Sequence, residues 1–97
     1  MHRAKILGSL TRNLDQIEKR YSVKALSLFG SAARDEMRKG SDIDVLVEFS
    51  GAATFDRYMD LKFYLEGLFG VSVDLVTVDA VKPRMRPLIE RNLINVS

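Results

Sequence analysis

The sequence contains no cysteine. That excludes a disulfide framework, a thiolate metal site and a cysteine nucleophile. No apolar run is long enough to span a bilayer. The opening MHRAKILGSLTRN is too short in its apolar part, and too polar after it, for a signal peptide, so a cytoplasmic protein is expected. No internal repeat, linker or low-complexity segment interrupts the chain. The single histidine, His2, stands at the terminus and is expected to be disordered. What remains suits one small domain: 97 residues, 46% hydrophobic and 29% charged, enough for one modest core.

Charge is scarce in total, at a net +2, but unevenly placed. Residues 1–24 carry six Lys/Arg against two Asp/Glu, residues 25–81 five against ten, and residues 82–97 four against one. An acidic centre suits cation binding. The basic tail, with Lys82, Arg84, Arg86 and Arg91, reads either as an ordinary solvated helix or as a contact for a partner protein or a nucleotide.

Hydrophobic spacing predicts the order α-β-α-β-α-β-α. The expected fold class is α/β (α+β), a small mixed sheet flanked by helices. Leu7, Leu10, Leu14, Ile17 and Tyr21 mark a first amphipathic helix that faces the core. Ala25 to Phe29 reads as a buried strand closed by Gly30. Ser31 then stands where an N-cap would, before the helix-favouring AARDEMR. Lys39-Gly40-Ser41 is a turn into a strand from Asp42 to Phe49, with Ile43, Val45 and Val47 on one face. Thr54 caps a third helix bearing the stripe Phe55, Tyr58, Leu61, Leu65 and Leu68, ending near Gly67 to Gly70. A strand from Val71 to Val78, a short helix over Lys82 to Asn92 and a last strand at Leu93 to Val96 complete the expectation.

The chemistry lies where aspartate breaks the strand pattern, since strands usually exclude it. Asp42 and Asp44 are two residues apart, so their side chains share a face, with Cα atoms roughly 7 Å apart. Two such carboxylates repel unless something positive lies beside them. A hard divalent cation such as Mg²⁺ meets that need, together with substrate phosphates. Taken alone, the pair has a plainer explanation: one Asp caps the strand start and the other faces solvent. Asp74, set among Val73, Leu75 and Val76, is a third aspartate in an apolar strand. It too has a plain reading, as an edge-strand residue facing water. If its strand neighbours that of Asp42 and Asp44, three carboxylates converge, the inventory of a two-metal phosphoryl-transfer site. Gly30-Ser31, at a strand–helix junction, offers backbone N–H groups and a hydroxyl to an anion.

Taken together, FGSAAR, GSDIDVLVEF and VDLVT resemble the minimal nucleotidyltransferases (MNT) of the DNA polymerase beta-like superfamily. The family usually has Gly after the residue matching Arg34, where this chain has Asp35. The resemblance implies a single nucleotidyltransferase domain over residues 1–97. It implies that Asp42, Asp44 and Asp74 are catalytic and hold Mg²⁺, with two metal ions expected and Mn²⁺ as an alternative. It implies that Gly30, Ser31, Arg34 and Ser41 bind the nucleotide. The implied reaction is in-line attack on the α-phosphorus of ATP, with pyrophosphate leaving.

No further domain to hold an acceptor is expected in a chain of this length, so a partner is expected largely to bring it. MNT proteins resemble antitoxins paired with HEPN-domain ribonuclease toxins, and the resemblance implies transfer of AMP to a tyrosine of such a toxin, which neutralises it. Neither a membrane nor direct nucleic-acid binding is expected. Two other readings stay open: an antitoxin that masks the toxin by binding alone, and nucleotidyl transfer to a small molecule or RNA.

Overall fold

The computed structural model describes all residues, 1–97. The first helix, α1, runs Arg3–Tyr21, and its buried Ile6, Leu10, Ile17 and Tyr21 recur at helical spacing. Leu7 and Leu14 flank this stripe, partly buried against the same core. His2 is the N-cap of α1, not a disordered end: its carbonyl accepts from the N–H groups of Lys5 and Ile6.

Strand β1 (Val23–Phe29) leads into α2 (Gly30–Ala33), a single turn. The helix expected through AARDEMR therefore stops early, and Ser31 lies inside it with Phe29 at the N-cap. The chain turns out at Asp35, which sits at φ +59°, a left-handed conformation that ends a helix and that Asp tolerates better than most residues. A long-range contact fixes it there: Asp35 Oδ1 accepts from the Arg3 N–H at 2.8 Å. Arg3 Nη1 also donates to the Ala33 carbonyl at 3.0 Å.

Strand β2 (Ile43–Phe49) alternates strictly, with Ile43, Val45, Val47 and Phe49 buried. Helix α3 (Phe55–Phe69) begins at Thr54, whose hydroxyl accepts from the Arg57 N–H at 3.2 Å, and ends at Gly70 in the left-handed region. Thr54→Ala is expected to cost about 1 kcal/mol of stability, read as a lower urea midpoint at an unchanged slope. Phe55, expected on the core stripe, is instead 75% exposed, at the rim of an open groove lined by Tyr58 and the β-strand residues Leu75, Val76 and Thr77.

Strand β3 (Val73–Thr77) is shorter than expected, since the chain passes into a 3₁₀ turn at Val78–Ala80. The tail helix is shorter too. Pro83 opens a second 3₁₀ turn, Pro83–Met85, and α4 spans only Arg86–Glu90 with Pro87 in its first turn. Strand β4 (Ile94–Asn95) ends the fold.

The four strands form one mixed sheet in the order β3-β2-β1-β4. β1 pairs antiparallel with β2 and β4, whereas β2 and β3 are parallel. Helices α1 and α3 share a single core with one sheet face, through Leu26, Leu28, Val45, Val47, Val73 and Leu75. The other face carries Asp44 and Leu46 of β2, and Ile89 of α4 meets it beside Leu46. No helix is long and apolar enough to cross a membrane.

Candidate active site

Asp44 is the second residue of β2 and Asp74 the second of β3. The parallel register sets them directly opposite each other. Paired residues of adjacent strands are about 4.8 Å apart and point to the same face, so the two carboxylates meet on the face that α1 and α3 leave open. Asp42 stands just ahead of β2, exposed, and its charge acts on Asp44. The strand order thus brings Asp44 and Asp74 together, with Asp42 at the entry to β2 within electrostatic reach of Asp44 but not part of a three-carboxylate cluster. Asp74 is also what its plainer reading held, an exposed residue on an edge strand.

Asp44 is half-buried, and its carboxyl is pushed up to about 6. Burial is the largest cause, followed by repulsion from Asp74, a hydrogen bond with Asp74 and repulsion from Asp42. Arg34 opposes these, so its guanidinium lies within electrostatic reach of Asp44. Arg34 is exposed, and its only side-chain partner is Glu36, with Nε at 3.4 Å from Oε2.

Gly30 closes the other side. Its φ is +65°, and a Cβ built there would overlap Asp44 Oδ2 and lie 2.9 Å from Cγ. The space beside Gly30 is therefore the space in which the Asp44 carboxylate sits. The one-turn α2 is too short for a large helix dipole, so anion affinity at Gly30-Ser31 must rest on local N–H groups. Ser41 has a local task, its Oγ accepting from the Arg38 N–H at 3.0 Å and closing the turn ahead of Asp42.

The donor set fits a hard divalent cation: oxygen ligands only, with a charge repulsion that a cation would relieve. The side chains are not a ready-made cage, since no three acidic or imidazole groups lie close enough together to enclose an ion. Mg²⁺ is commonly held by one or two carboxylates plus substrate phosphates, so an open pair suffices. The largest cavity, about 640 Å³, lies elsewhere, lined by Arg20, Tyr21, Arg57, Asp60, Phe63 and Tyr64. Tyr21 borders the start of β1, which pairs with the end of β2 remote from Asp44. That cavity has size but no paired acids, so the carboxylate cleft is the stronger candidate for chemistry.

The strands, the Gly30 junction and the opposed carboxylates agree with the comparison to known families. A nucleotidyltransferase domain model matches residues 10–95. The chain belongs to the nucleotidyltransferase domain family. Within it, the Methanocaldococcus jannaschii protein MJ0128, provisionally named a protein adenylyltransferase, is 38% identical over 94 residues, covering 96% of each chain. The Thermococcus cleftensis protein adenylyltransferase MntA is 32% identical over 87 residues, covering 90% of this chain and 88% of its own. A solved chain provisionally called a minimal nucleotidyltransferase superposes with a TM-score of 0.81 at 35% identity, over 97% of this chain and 95% of that one. The fold also matches a chain from the complex of the tri-AMPylated Shewanella oneidensis HEPN toxin with its MNT antitoxin. There the TM-score is 0.68 at 15% identity, over 94% of this chain and 71% of that chain. The family and the fold class expected from the sequence are thus established.

Residues that sequence reading missed are those that hold the carboxylate cleft from outside. Arg3 ties α1 to the loop after α2, and Lys62 and Glu66 of α3 grip the start of β3. The i,i+4 spacing of Lys62 and Glu66 was legible, but not that both reach the strand beside Asp74.

Proposed function

We propose that this chain, as one nucleotidyltransferase domain over residues 1–97, transfers AMP from ATP to a tyrosine hydroxyl of a HEPN-type ribonuclease toxin and so neutralises it. The observation that carries this reading is the opposition of Asp44 and Asp74 across β2 and β3, with Gly30 and Arg34 beside them. Relatives 38% and 32% identical to this chain are named as protein adenylyltransferases, the first provisionally, and a fold neighbour comes from an MNT antitoxin complex.

Asp42, Asp44 and Asp74 would hold Mg²⁺, with Mn²⁺ able to replace it. The bound metal would supply charge neutralisation at the attacking and leaving oxygens. Gly30 and Ser31 would seat the triphosphate through backbone N–H groups, with Arg34 set against its charge and Ser41 steadying the loop that carries Asp42. The acceptor oxygen forms its bond to the α-phosphorus as the bond to the β-phosphate oxygen breaks and pyrophosphate leaves. Asp74, exposed at the edge of the sheet, would take the acceptor proton on a carboxylate oxygen. The new phosphodiester would add bulk and negative charge where the toxin must admit RNA. A cytoplasmic setting, with no direct nucleic-acid binding, belongs to the same reading.

One observation favours a masking contribution. Met85 and Leu88 are exposed at 46% and 69% on the tail, among Lys82, Arg84 and Arg91. A surface of this kind suits protein contact. Arg84→Glu/Arg86→Glu is expected to weaken toxin binding by about tenfold, with a steeper loss at high salt for the wild type, measured by calorimetry. Unchanged affinity would make the tail an ordinary solvated surface.

The deciding test is intact mass spectrometry of the partner after incubation with this chain, ATP and Mg²⁺, beside Asp42→Asn/Asp44→Asn. AMP-sized increments on a partner tyrosine, absent with the double variant, are expected. A stable complex without increments would leave masking as the activity. Label on an added RNA or small molecule instead would move the acceptor.

A further inference from the structure

Asp74 occupies an awkward place for a residue that must match a partner carboxylate. β3 is an edge strand, hydrogen-bonded on one side only. Edge strands fray, slip and recruit foreign strands because alternate N–H and C=O groups lack partners. In a parallel pair alternate residues turn those groups toward the neighbouring strand. The Ser72 carbonyl accepts from the Ile43 N–H at 3.0 Å, so Val73 and Leu75 turn theirs away from β2.

Three of those four outward groups are met by one stripe of α3. Glu66 Oε2 accepts from the Val73 N–H at 3.0 Å. Lys62 Nζ donates to the Val73 carbonyl at 2.7 Å and to Glu66 Oε2 at 3.1 Å. Tyr58 Oη donates to the Leu75 carbonyl at 2.5 Å. Tyr58, Lys62 and Glu66 follow one another at i, i+4 and i+8, a single line along the helix. Lys62 and Glu66 are each only 27% exposed, and the Glu66 carboxyl is held below its usual range chiefly by the Val73 N–H. Both residues flanking Asp74 are therefore fastened to α3, and α3 is fixed to the core by Leu61, Leu65 and Phe69.

We propose that Tyr58, Lys62 and Glu66 are positioning residues that lock the Asp74 edge strand in register against Asp44, and so set the geometry of the paired carboxylates for a divalent cation. This rests on the proposed metal-binding role of the carboxylates. Side-chain braces of this type substitute for the missing neighbouring strand and pre-organise a site that its own residues cannot stiffen. They also close the edge to a foreign strand at Val73 and Leu75.

The test compares Glu66→Ala, Glu66→Gln and Tyr58→Phe with the wild type. Asp15→Ala, which breaks the exposed Lys19–Asp15 pair on α1, serves as a control for loss of a surface ion pair. Two readouts are taken: Mn²⁺ affinity by calorimetry, and amide exchange at Val73, Asp74 and Leu75 without metal. Glu66→Ala is expected to weaken Mn²⁺ binding about tenfold and to speed exchange at Asp74, whose N–H faces β2 and does not touch Glu66. Glu66→Gln, which keeps an acceptor for Val73, should restore most of both, and Tyr58→Phe should lose about threefold in affinity. Wild-type affinity and wild-type Asp74 exchange in Glu66→Ala and Tyr58→Phe would overturn the proposal. If Glu66→Ala does not fold, Tyr58→Phe, which removes one oxygen, decides alone. Absence of Mn²⁺ binding by the wild type would sink the proposed metal role, and Asp74 exchange would then judge the brace by itself.

Discussion

Asp44→Asn is expected to lower AMP transfer by about a hundred- to a thousandfold and, in chelator, to make the protein more stable at pH 7.5. The first effect follows from removing a carboxylate that would hold the cation balancing transition-state charge, a loss commonly of two to three orders of magnitude. The second follows from the sign of the Asp44 shift. Its carboxyl ordinarily titrates at 3.8 and is raised to about 6 in the fold, by burial first and then by Asp74 and Asp42. A raised carboxyl binds its proton more tightly folded than unfolded. Stability is then greatest below pH 3.8 and falls as pH rises through about 6. Above that, the ionised Asp44 is a standing cost. The full shift corresponds to on the order of 3 kcal/mol, and half-exposure reduces it to about 1 kcal/mol. An amide cannot ionise, so the variant escapes this cost, and its N–H₂ can donate to Asp74. The advantage should be present above pH 6 and vanish near pH 4. Mg²⁺ should reverse the order by stabilising only the wild type, by about 2.7 kcal/mol at a hundredfold excess over its dissociation constant. Urea melts at pH 4, 5.5 and 7.5, with and without Mg²⁺, read all of this. A variant no more stable than wild type at pH 7.5 in chelator would show that ionised Asp44 carries no cost in the fold.

This trade also explains which features the sequence could reveal. Aspartates that weaken a strand stand out because every neighbour obeys the apolar pattern, as Ile43, Val45, Val73 and Leu75 do. Thr54 was legible for the same reason, as a local cap acting on a local N–H. The length of α2 was not. AARDEMR favours a helix by composition, and the residue that stops it, Asp35, is held by an N–H thirty-two positions away. Phe55 was misplaced because periodicity gives a direction around the helix and does not show that the first turn borders an open groove beside Leu75, Val76 and Thr77. The adjacency of β2 and β3 was conditional in the sequence, yet it decides whether Asp44 and Asp74 meet at all. The α3 brace was invisible for a related reason: Tyr58, Lys62 and Glu66 look like two polar surface residues and a core tyrosine until β3 is found at an edge. The roles of the individual site residues follow from that adjacency only as proposals, which the variants described here put to trial.

Gly30→Ala is expected to cut AMP transfer about a hundredfold and to destabilise the protein by about 1–3 kcal/mol. Two causes contribute, and they can be separated. A φ of +65° strains any residue with a Cβ, wherever its neighbours lie. The added methyl would in addition occupy the position of Asp44 Oδ2, forcing the carboxylate to turn away from Asp74. The strain is indifferent to what stands at position 44, whereas the clash requires the carboxyl group. In an Asp44→Ala background the overlap with the carboxyl group is gone and only a tight 3.2 Å contact with the Cβ of residue 44 remains, so Gly30→Ala should cost little beyond its backbone strain. A double-mutant cycle on folding stability should then show a coupling of about 1 kcal/mol or more, within the range seen for residues in direct contact. If Gly30 served only to let a phosphate approach, the cycle would be additive without nucleotide, and the whole penalty would appear in the KM for ATP. Coupling in the free protein would mean that Gly30 shapes the carboxylate site before any substrate arrives. The glycine at the end of β1 and the aspartate of β2 would then be two halves of one packing decision.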